Sequence, residues 1–201
     1  MASPAEEMEA LRQQVLNCTD CELARTRTHV VFGEGNPCAK VVLVGEGPGG
    51  WEDRTGRPFV GRAGKLLDVA LREAGLKREE LYITNVVKCR AASEVGERLR
   101  NRPPRAAEVR ACRKWLEAQL RILKPKVLVC IGGPAASLLI HKGFKMTEER
   151  GKWFRDTPYA PLAIAVLHPA YVLRQDGEDF LRARELLIED LRKVREQSED
   201  H

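Results

Sequence analysis

Four short apolar segments, each followed by a stretch with helical periodicity, constrain the fold of this chain more than any other feature of its sequence. They are rich in β-branched residues, which is typical of strands buried on both faces, and they span residues 41–44, 81–89, 126–132 and 162–169. Strands that alternate with helices form a parallel sheet with helices on both of its faces. The pattern therefore predicts an α/β fold with a four-stranded parallel central sheet.

The segments between these strands repeat apolar residues at helical spacing. Helices are predicted over residues 5–16, 105–123, 133–143 and 179–196, and another begins around Gly64 and ends at Gly75, a favourable C-terminal cap. Residues 153–161 are expected to form a hairpin-like excursion. The 201 residues contain no internal repeat and no low-complexity linker, so we expect a single domain over residues 1–201.

The positive charge of the chain is concentrated in one segment. The net charge is +5, and residues 90–114 carry eight lysine or arginine side chains against three glutamates, which accounts for the whole excess. Such a patch suits a polyanion such as a nucleic acid, although a solvated arginine-rich helix face has the same composition. No apolar run approaches the roughly 20 residues that span a bilayer, and the N-terminus lacks a signal-peptide pattern. We therefore expect a soluble cytoplasmic protein without a membrane partner.

The carboxyl ends of the predicted strands are the expected position of a ligand site in an open parallel sheet. The first strand end contains a GxGxxG pattern, but a dinucleotide-binding loop needs a helix that starts at the glycines. Pro48 and Pro58 instead predict a loop over residues 51–64, its carboxylates would repel a phosphate, and no Gly-Lys-Ser/Thr follows. We interpret the segment as the edge of a pocket, without a nucleotide cofactor, in which Phe59 offers a ring for stacking or packs into the core.

Four of the six cysteines have a placement that suits a metal centre. They are Cys18, Cys21, Cys89 and Cys112. Four thiolates can hold a structural zinc ion or an iron–sulfur cluster, and the spacing neither chooses between these nor excludes unrelated free thiols. Cys130 lies inside a predicted strand and is expected to be an inert buried side chain, whereas Cys38 has no evident partner.

Taken in order, the motifs of this chain resemble those of the family-4 uracil-DNA glycosylases, the iron–sulfur-containing branch of the uracil-DNA glycosylase superfamily. The matching segments are the CxxC pair, VVLVGEGPGGWEDRTGRPFVGRAGKLLD, YITNVVKCR, ACRKWL and LHPAYVLR. The resemblance implies a three-layer α/β/α fold and a 4Fe–4S cluster on the four cysteines named above. In this family the cluster is structural or arranges elements that contact DNA, and it is not the reaction centre.

The resemblance also implies an activity, the removal of uracil from DNA by hydrolysis of the N-glycosidic bond to leave an abasic site. A base stacked in a duplex must first be flipped out. Phe59 would stack on the flipped base, and Asn85, whose amide both donates and accepts, would bind the O4/N3 edge of uracil and reject cytosine. His168 would stabilise the charge that develops on O2, and it lies at the carboxyl end of a predicted strand, unlike the other histidines. Those others are His29, His141 and His201.

The group that positions the attacking water is left open. The classical uracil glycosylases have an aspartate for this role at the position of Gly47, and family 4 shares this departure. Glu46 or Glu52 could serve, or backbone carbonyl groups could hold the water, and Glu52 could instead bind within its own loop. Gly47 is kept as a substrate-binding residue because glycine lets the backbone approach a ligand closely.

DNA contacts are expected from residues near these motifs. Arg90 and Arg113 adjoin two of the cysteine ligands, and Arg174 follows the histidine motif, where it would contact phosphate. Just before it, Val172 or Leu173 would enter the minor groove as an apolar wedge.

Two local departures from the family pattern lie beside the expected site. Trp51 stands where a small or acidic residue is expected and would alter the pocket mouth. Residues 90–104 are expected to form a long loop whose arginines extend the DNA footprint. No histidine lies between Cys89 and Cys112, although a relative traps its substrate covalently through one in this loop, so we expect turnover.

Three other functions remain open from the sequence. The first is a non-catalytic DNA-damage binding protein of the same fold. The second is a redox iron–sulfur protein, which the cysteines alone support, and the third is a nucleotide-binding module, which the glycine segment disfavours. A glycosylase acting on uracil-containing DNA as a monomer accounts for more of the motifs than any of these.

Overall fold

A computed structural model of the chain describes residues 2–199. Met1, Asp200 and His201 lie outside the described residues, so the expectation for His201 is not addressed. No helix within residues 2–199 is both long enough and apolar enough to cross a membrane.

The strands of the protein are β1 Glu34–Gly35, β2 Val41–Gly45, β3 Tyr82–Asn85, β4 Ala92–Val95, β5 Arg98–Asn101, β6 Val127–Ile131, β7 Trp153–Arg155 and β8 Leu162–Val166. Six of them form the central sheet, in the spatial order β1-β3-β2-β6-β8-β7. Strands β3, β2, β6 and β8 are mutually parallel, which confirms the predicted four-stranded parallel sheet, and the short strands β1 and β7 add antiparallel edges to it. β7 pairs with β8 through a tight connection, which is the hairpin expected over residues 153–161.

Helices cover both faces of the sheet. Their bounds are α1 Pro4–Leu16, α2 Leu23–Thr26, α3 Gly50–Thr55, α4 Arg62–Ala74, α5 Ala106–Leu123, α6 Gly133–Leu139, α7 Met146–Glu149, α8 Pro169–Leu173 and α9 Gly177–Glu199, with a 3₁₀ turn at Arg78–Glu80. Helices α1, α5 and α6 pack on one face, and α4, α8 and α9 pack on the other. This is the predicted three-layer α/β/α architecture.

The alternation of side chains along each strand explains the two cores. In β2, Val42 and Val44 face the layer of α1 and α5, whereas Val41 and Leu43 face the layer of α4 and α9. All of β2 and β6 is buried because both faces are covered, which is why these strands are continuously apolar. Cys130 of β6 is fully buried among apolar neighbours, as expected.

Two predicted loops are wrong. Residues 51–64 contain α3, which begins at Gly50, and the start of α4 at Arg62. Residues 90–104 contain an antiparallel hairpin of β4 and β5, which turns at Gly96 with a φ of +61°. Helix α3 and the β4–β5 hairpin are short and lie among glycines or prolines. Neither has enough residues for its apolar positions to show the periodicity of a helix or a strand.

Candidate active site

The carboxyl ends of the four parallel strands meet at one open cleft of about 1240 Å³. Each strand contributes a residue to its lining at or just beyond its end: Glu46 after β2, Asn85 of β3, Gly132 after β6 and His168 after β8. Gly132 has a φ of +92°, and a Cβ atom there would lie 3.3 Å from His168 Cβ, so glycine lets this histidine approach the strand end. The topology therefore gathers candidates that lie far apart in sequence.

Asn85 forms part of the cleft floor and is almost completely buried, with 1% of its surface exposed. Its Oδ1 atom has no hydrogen-bond partner within residues 2–199. A Cβ atom at Gly45 would lie 2.5 Å from this oxygen, so only glycine fits beside it. A buried unpaired acceptor costs about 1–3 kcal/mol, which indicates a position built for a donor from a ligand.

Phe59 lines the same cleft beside His168. The two ring centroids are 5.9 Å apart with an interplanar angle of 33°. Phe59 has a φ of +50°, a strained value for an aromatic residue, and Arg78 supports this loop by donating to the carbonyl oxygens of Pro58 at 2.6 Å and Phe59 at 3.1 Å. A backbone held in this conformation fixes the ring against the cleft.

His168 is held as a neutral imidazole. Its Nδ1 atom accepts a hydrogen bond from the backbone amide of Ala170 at 3.0 Å, so the ring proton lies on Nε2. Burial is the largest cause that lowers the pKa of His168, to about 4, and the positive charge of Arg174 adds to it. The ring can therefore donate one neutral hydrogen bond from Nε2 at physiological pH.

The two candidate carboxylates have different surroundings. Glu52 accepts hydrogen bonds from the backbone amides of Val60 at 3.1 Å and Gly61 at 3.0 Å, so it fixes the loop that carries Phe59. The Glu46 carboxylate has no side-chain hydrogen bond or ion pair in the described part of the chain, and burial raises its pKa.

Helix α3 begins at Gly50, so the glycine segment leads directly into a helix that we did not predict. The carboxylate of Glu52 nevertheless lies against the first residues of this helix, 2.9 Å from where a Cβ atom of Gly49 would be. Asp53 in the same turn is buried and accepts from the backbone amide of Thr28 at 2.8 Å. A phosphate would meet a carboxylate here, so this geometry also disfavours a nucleotide. Gly47 lines the cleft, and a Cβ atom there would lie 2.8 Å from Val87 Cγ2.

The four predicted metal ligands line a second, small cavity, to which three separate chain segments contribute. These ligands are Cys18, Cys21, Cys89 and Cys112. Three of the sulfur atoms accept a hydrogen bond from a nitrogen: Cys18 from Trp115 Nε1 at 3.3 Å, Cys112 from the Lys88 amide at 3.3 Å and Cys89 from Arg27 Nη1 at 3.5 Å. Within residues 2–199 no group of three or more histidine, cysteine or acidic side chains has the arrangement of a single-ion site.

Burial raises the pKa of two of these thiols, that of Cys89 to about 11 and that of Cys112 above its ordinary value. Cys38 is exposed and lies outside the cavity. The cavity therefore separates the four candidate ligands from the two remaining cysteines, as the sequence suggested.

The predicted DNA-contacting arginines have different positions. Arg174 lines the cleft, and Arg90 lies beside it, where its Nε donates to Asn101 Oδ1 at 2.7 Å. Arg113 lies outside the cleft lining and is bound to Glu117 at 2.8 Å and to Tyr159.

The predicted wedge is wrong in part. Val172 is fully buried in the core beneath α8, because Pro169 and Val172 are three residues apart and form the inner face of this helix. Tyr171, which the sequence analysis did not single out, is 44% exposed and lines the cleft. Trp51 is 58% exposed on the same lining, as expected for a residue at the pocket mouth.

Comparison with known proteins gives a consistent result. Residues 32–192 match the family described as the uracil DNA glycosylase superfamily. The chain is 42% identical over 199 residues to the type-4 uracil-DNA glycosylase of Thermotoga maritima, covering 97% of this chain and 96% of that protein. It is 37% identical to the type-4 uracil-DNA glycosylase of Sulfurisphaera tokodaii, over 95% of this chain and 84% of that protein. It is 38% identical to the type-4 uracil-DNA glycosylase of Archaeoglobus fulgidus, over 90% of this chain and 94% of that protein.

Proposed function

The chain belongs to the uracil-DNA glycosylase superfamily and, within it, to the type-4 enzymes, and from this premise we propose that it removes uracil from DNA by hydrolysing the N-glycosidic bond. The products are free uracil and an abasic site. The proposal takes uracil-containing DNA as the partner, a cytoplasmic monomer as the acting unit and no nucleotide cofactor. The observation that carries it is the buried, unpaired Oδ1 atom of Asn85 on the cleft floor.

Asn85 explains selection of uracil. Its Oδ1 would accept the N3 proton of uracil, and its amide nitrogen would donate to O4. Cytosine presents an acceptor at N3 and a donor at N4. Oδ1 of Asn85 would then face another acceptor, and its amide nitrogen would face another donor, so both hydrogen bonds would be lost. Because Asn85 is buried, no water compensates for this mismatch.

His168 would stabilise the leaving group. As the N-glycosidic bond breaks, negative charge develops on O2 of uracil, and the neutral ring would donate its Nε2 proton in a hydrogen bond to that oxygen. Phe59 would stack on the base, and its contact with His168 places the stacking surface and the donor side by side. A flipped base would thus be held on its face and on both of its polar edges.

Glu46 is the proposed water-positioning group. Glu46 lines the cleft and its carboxylate has no side-chain partner among residues 2–199, whereas the carboxylate of Glu52 is bound to two backbone amides of its own loop. Burial raises the pKa of Glu46, which makes the carboxylate a better acceptor for a water proton.

Base flipping requires something to fill the space that the base leaves in the duplex. Tyr171 is the proposed wedge, because it is exposed at the cleft while Val172 beside it is buried. Arg174 lies one turn further along at the cleft and would bind a flanking phosphate. Arg90, which donates to the cleft-lining Asn101, would bind another. Arg113 is not part of the proposed DNA-binding face, since its guanidinium is bound to Glu117 and Tyr159.

We propose that Cys18, Cys21, Cys89 and Cys112 hold a 4Fe–4S cluster. The fit rests on the shared cavity and on the N–H donors that already point at three of the sulfur atoms, since such hydrogen bonds stabilise cluster thiolates. When bound, the cluster would tie the N-terminal segment to the end of β3 and to α5. This role is structural and takes no part in breaking the glycosidic bond.

No observation favours the other functions considered. A damage-binding protein would need the same pocket, but the relatives named above are glycosylases. A redox protein would have no use for the cleft. A nucleotide-binding module is disfavoured because the start of α3 at the glycines faces the carboxylate of Glu52, where a phosphate would have to bind.

The proposal is tested with a labelled duplex that contains one central uracil. Protein with stoichiometric iron is incubated with it, and free uracil and alkali-labile abasic sites are both measured, beside matched thymine and cytosine duplexes. We expect both products from the uracil duplex only. If no uracil is released by protein whose iron content is complete, the glycosylase proposal is rejected.

A further inference from the structure

Lys88 is a buried basic side chain that the proposed mechanism does not use. Only 1% of its surface is exposed, and it ranks among the largest fully buried side chains of the described residues. It lies between Asn85, which would read the base, and Cys89, which would bind the cluster. A lysine is seldom buried this completely without a specific set of partners.

The side chain of Lys88 folds back along the chain to the base-reading residue. Its Nζ atom donates to the backbone oxygen of Asn85 at 2.7 Å, to Thr84 Oγ1 at 2.6 Å and to Gln119 Oε1 at 2.5 Å. Nζ thus has three acceptors, the number that a protonated lysine can satisfy. No carboxylate from residues 2–199 takes part in this network.

The backbone of Lys88 makes two further hydrogen bonds, to residues other than those that its side chain contacts. Its amide donates to Cys112 Sγ at 3.3 Å, and its carbonyl oxygen accepts from the amide of Val31 at 2.7 Å. One residue therefore contacts a candidate cluster ligand through its backbone and the backbone of Asn85 through its side chain.

Helix α5 joins the two ends of this connection. Cys112 and Gln119 are seven residues apart on α5, which places them on the same face two turns apart, and both are buried. Gln119 also donates from Nε2 to the carbonyl oxygen of Phe32 at 2.8 Å, which fixes the orientation of its amide. The acceptor that Gln119 offers to Lys88 is thus held by the same helix that holds a cluster ligand.

We infer that Lys88 is a positioning residue for uracil recognition, which couples the cysteine cavity to the orientation of Asn85. This inference rests on the proposed function. Discrimination between uracil and cytosine depends on the angle of one buried amide, and the backbone that carries this amide is fixed by the Lys88 ammonium. A cluster that holds Cys89 and Cys112 would then fix Lys88 from its other side.

The inference is tested by a double-mutant cycle between Lys88→Met and Asn85→Ala, with excision measured under single-turnover conditions and iron content measured for every variant. Methionine keeps the length of the side chain without its donors. We expect Lys88→Met to retain its iron and to excise uracil about tenfold more slowly than the wild type. In the Asn85→Ala background the same substitution should change the rate by less than about twofold, because the residue through which it acts is gone.

Controls separate this role from a general effect on the fold. Lys77→Met changes an exposed lysine that lies outside the cleft lining and should leave the rate unchanged. Gln119→Leu removes one Lys88 acceptor and should give a smaller loss with the same dependence on Asn85, which keeps the test valid if Lys88→Met fails to fold. Equal losses in both Asn85 backgrounds, or losses proportional to lost iron, would overturn the inference alone. Absence of excision by the iron-complete wild type would overturn the proposed function and this inference with it.

Discussion

The backbone amide of Ala170 donates to Nδ1 of His168 at 3.0 Å, and this bond determines which nitrogen of the neutral ring carries the proton. Nδ1 is occupied as an acceptor, so the neutral ring carries its proton on Nε2. Burial lowers the pKa of His168 from its ordinary value of 6.5 to about 4, which keeps the ring neutral through the physiological range. The proton on Nε2, which we propose is donated to O2 of uracil, is thus fixed by a local backbone contact and by burial together.

The pH dependence of His168 follows from this lowered pKa. The ring gains a second proton only as the pH falls toward 4, so its donor state is constant between about pH 5.5 and 8. We expect the excision rate to show no inflection near 6.5, and ring NMR signals of His168 to show an Nε2–H tautomer that does not titrate there. His141 is an internal control, because it is exposed and its pKa is raised by the Lys142 carbonyl and by Glu149. Titration of the His168 ring at pH 6.5 or above, where His141 is expected to titrate, would contradict the assignment.

The exposed ring of Tyr171 is expected to contribute to flipping and not to bond cleavage. Tyr171→Ala should slow excision from duplex DNA by about tenfold, with a smaller loss on single-stranded DNA, because a single strand needs little unstacking. Leu181→Ala is the matched control, since Leu181 is 63% exposed but lies outside the cleft lining. Equal losses on both substrates would remove Tyr171 from the wedge role.

The β4–β5 hairpin is expected to add affinity for DNA without adding selectivity. Arg98 and Arg100 lie on one face of the hairpin, both are exposed, and neither has an ion pair in the described part of the chain. Replacing both by alanine should weaken binding to uracil and thymine duplexes equally and reduce the slope of log affinity against log salt by about 1–2. Arg72→Ala, at the end of α4 away from the cleft, should leave the slope unchanged. An unchanged slope in the double variant would exclude the hairpin from the DNA-binding face.

The cysteines offer a test with an internal control. Cys112→Ser should remove the iron and the visible absorbance of the purified protein and lower its stability, because three chain segments lose their connection. Cys38→Ser changes an exposed thiol outside the cavity and should keep both the iron and the activity. Retention of stoichiometric iron by Cys112→Ser would contradict the ligand set.

The sheet and the position of the cleft could be predicted because they depend on patterns that extend over many residues. Strands buried on both faces are continuously apolar, and the ends of parallel strands must meet at one edge, so Asn85 and His168 could be placed together without coordinates. Each of the two loop predictions failed where the elements were too short for a repeated pattern of apolar residues. Helix α3 has six residues, and each strand of the hairpin at Gly96 pairs only four.

The details of individual side chains could not be predicted, since they depend on contacts between distant segments. Val172 was a plausible wedge from its chemistry, but its burial depends on how α8 packs against α4 and α9. The sequence left open whether Glu46 or Glu52 positions the water or Glu52 binds within its own loop. Only the structure shows that Glu52 binds Val60 and Gly61, whereas the Glu46 carboxylate has no side-chain partner in the described part of the chain. The burial of Lys88 is the clearest case, because a lysine beside Arg90 in a basic segment is expected to face solvent or DNA.

The roles proposed for Asn85 and His168 are tested most directly by measuring single-turnover uracil release from one duplex. The proteins compared are the iron-complete wild type, Asn85→Ala and His168→Ala. The account predicts release by the wild type, and a loss of about 100-fold or more in each variant with iron content unchanged, because each removes one polar contact from a buried site. Release at the wild-type rate by either variant would contradict the roles assigned to the cleft, whatever the family of the chain.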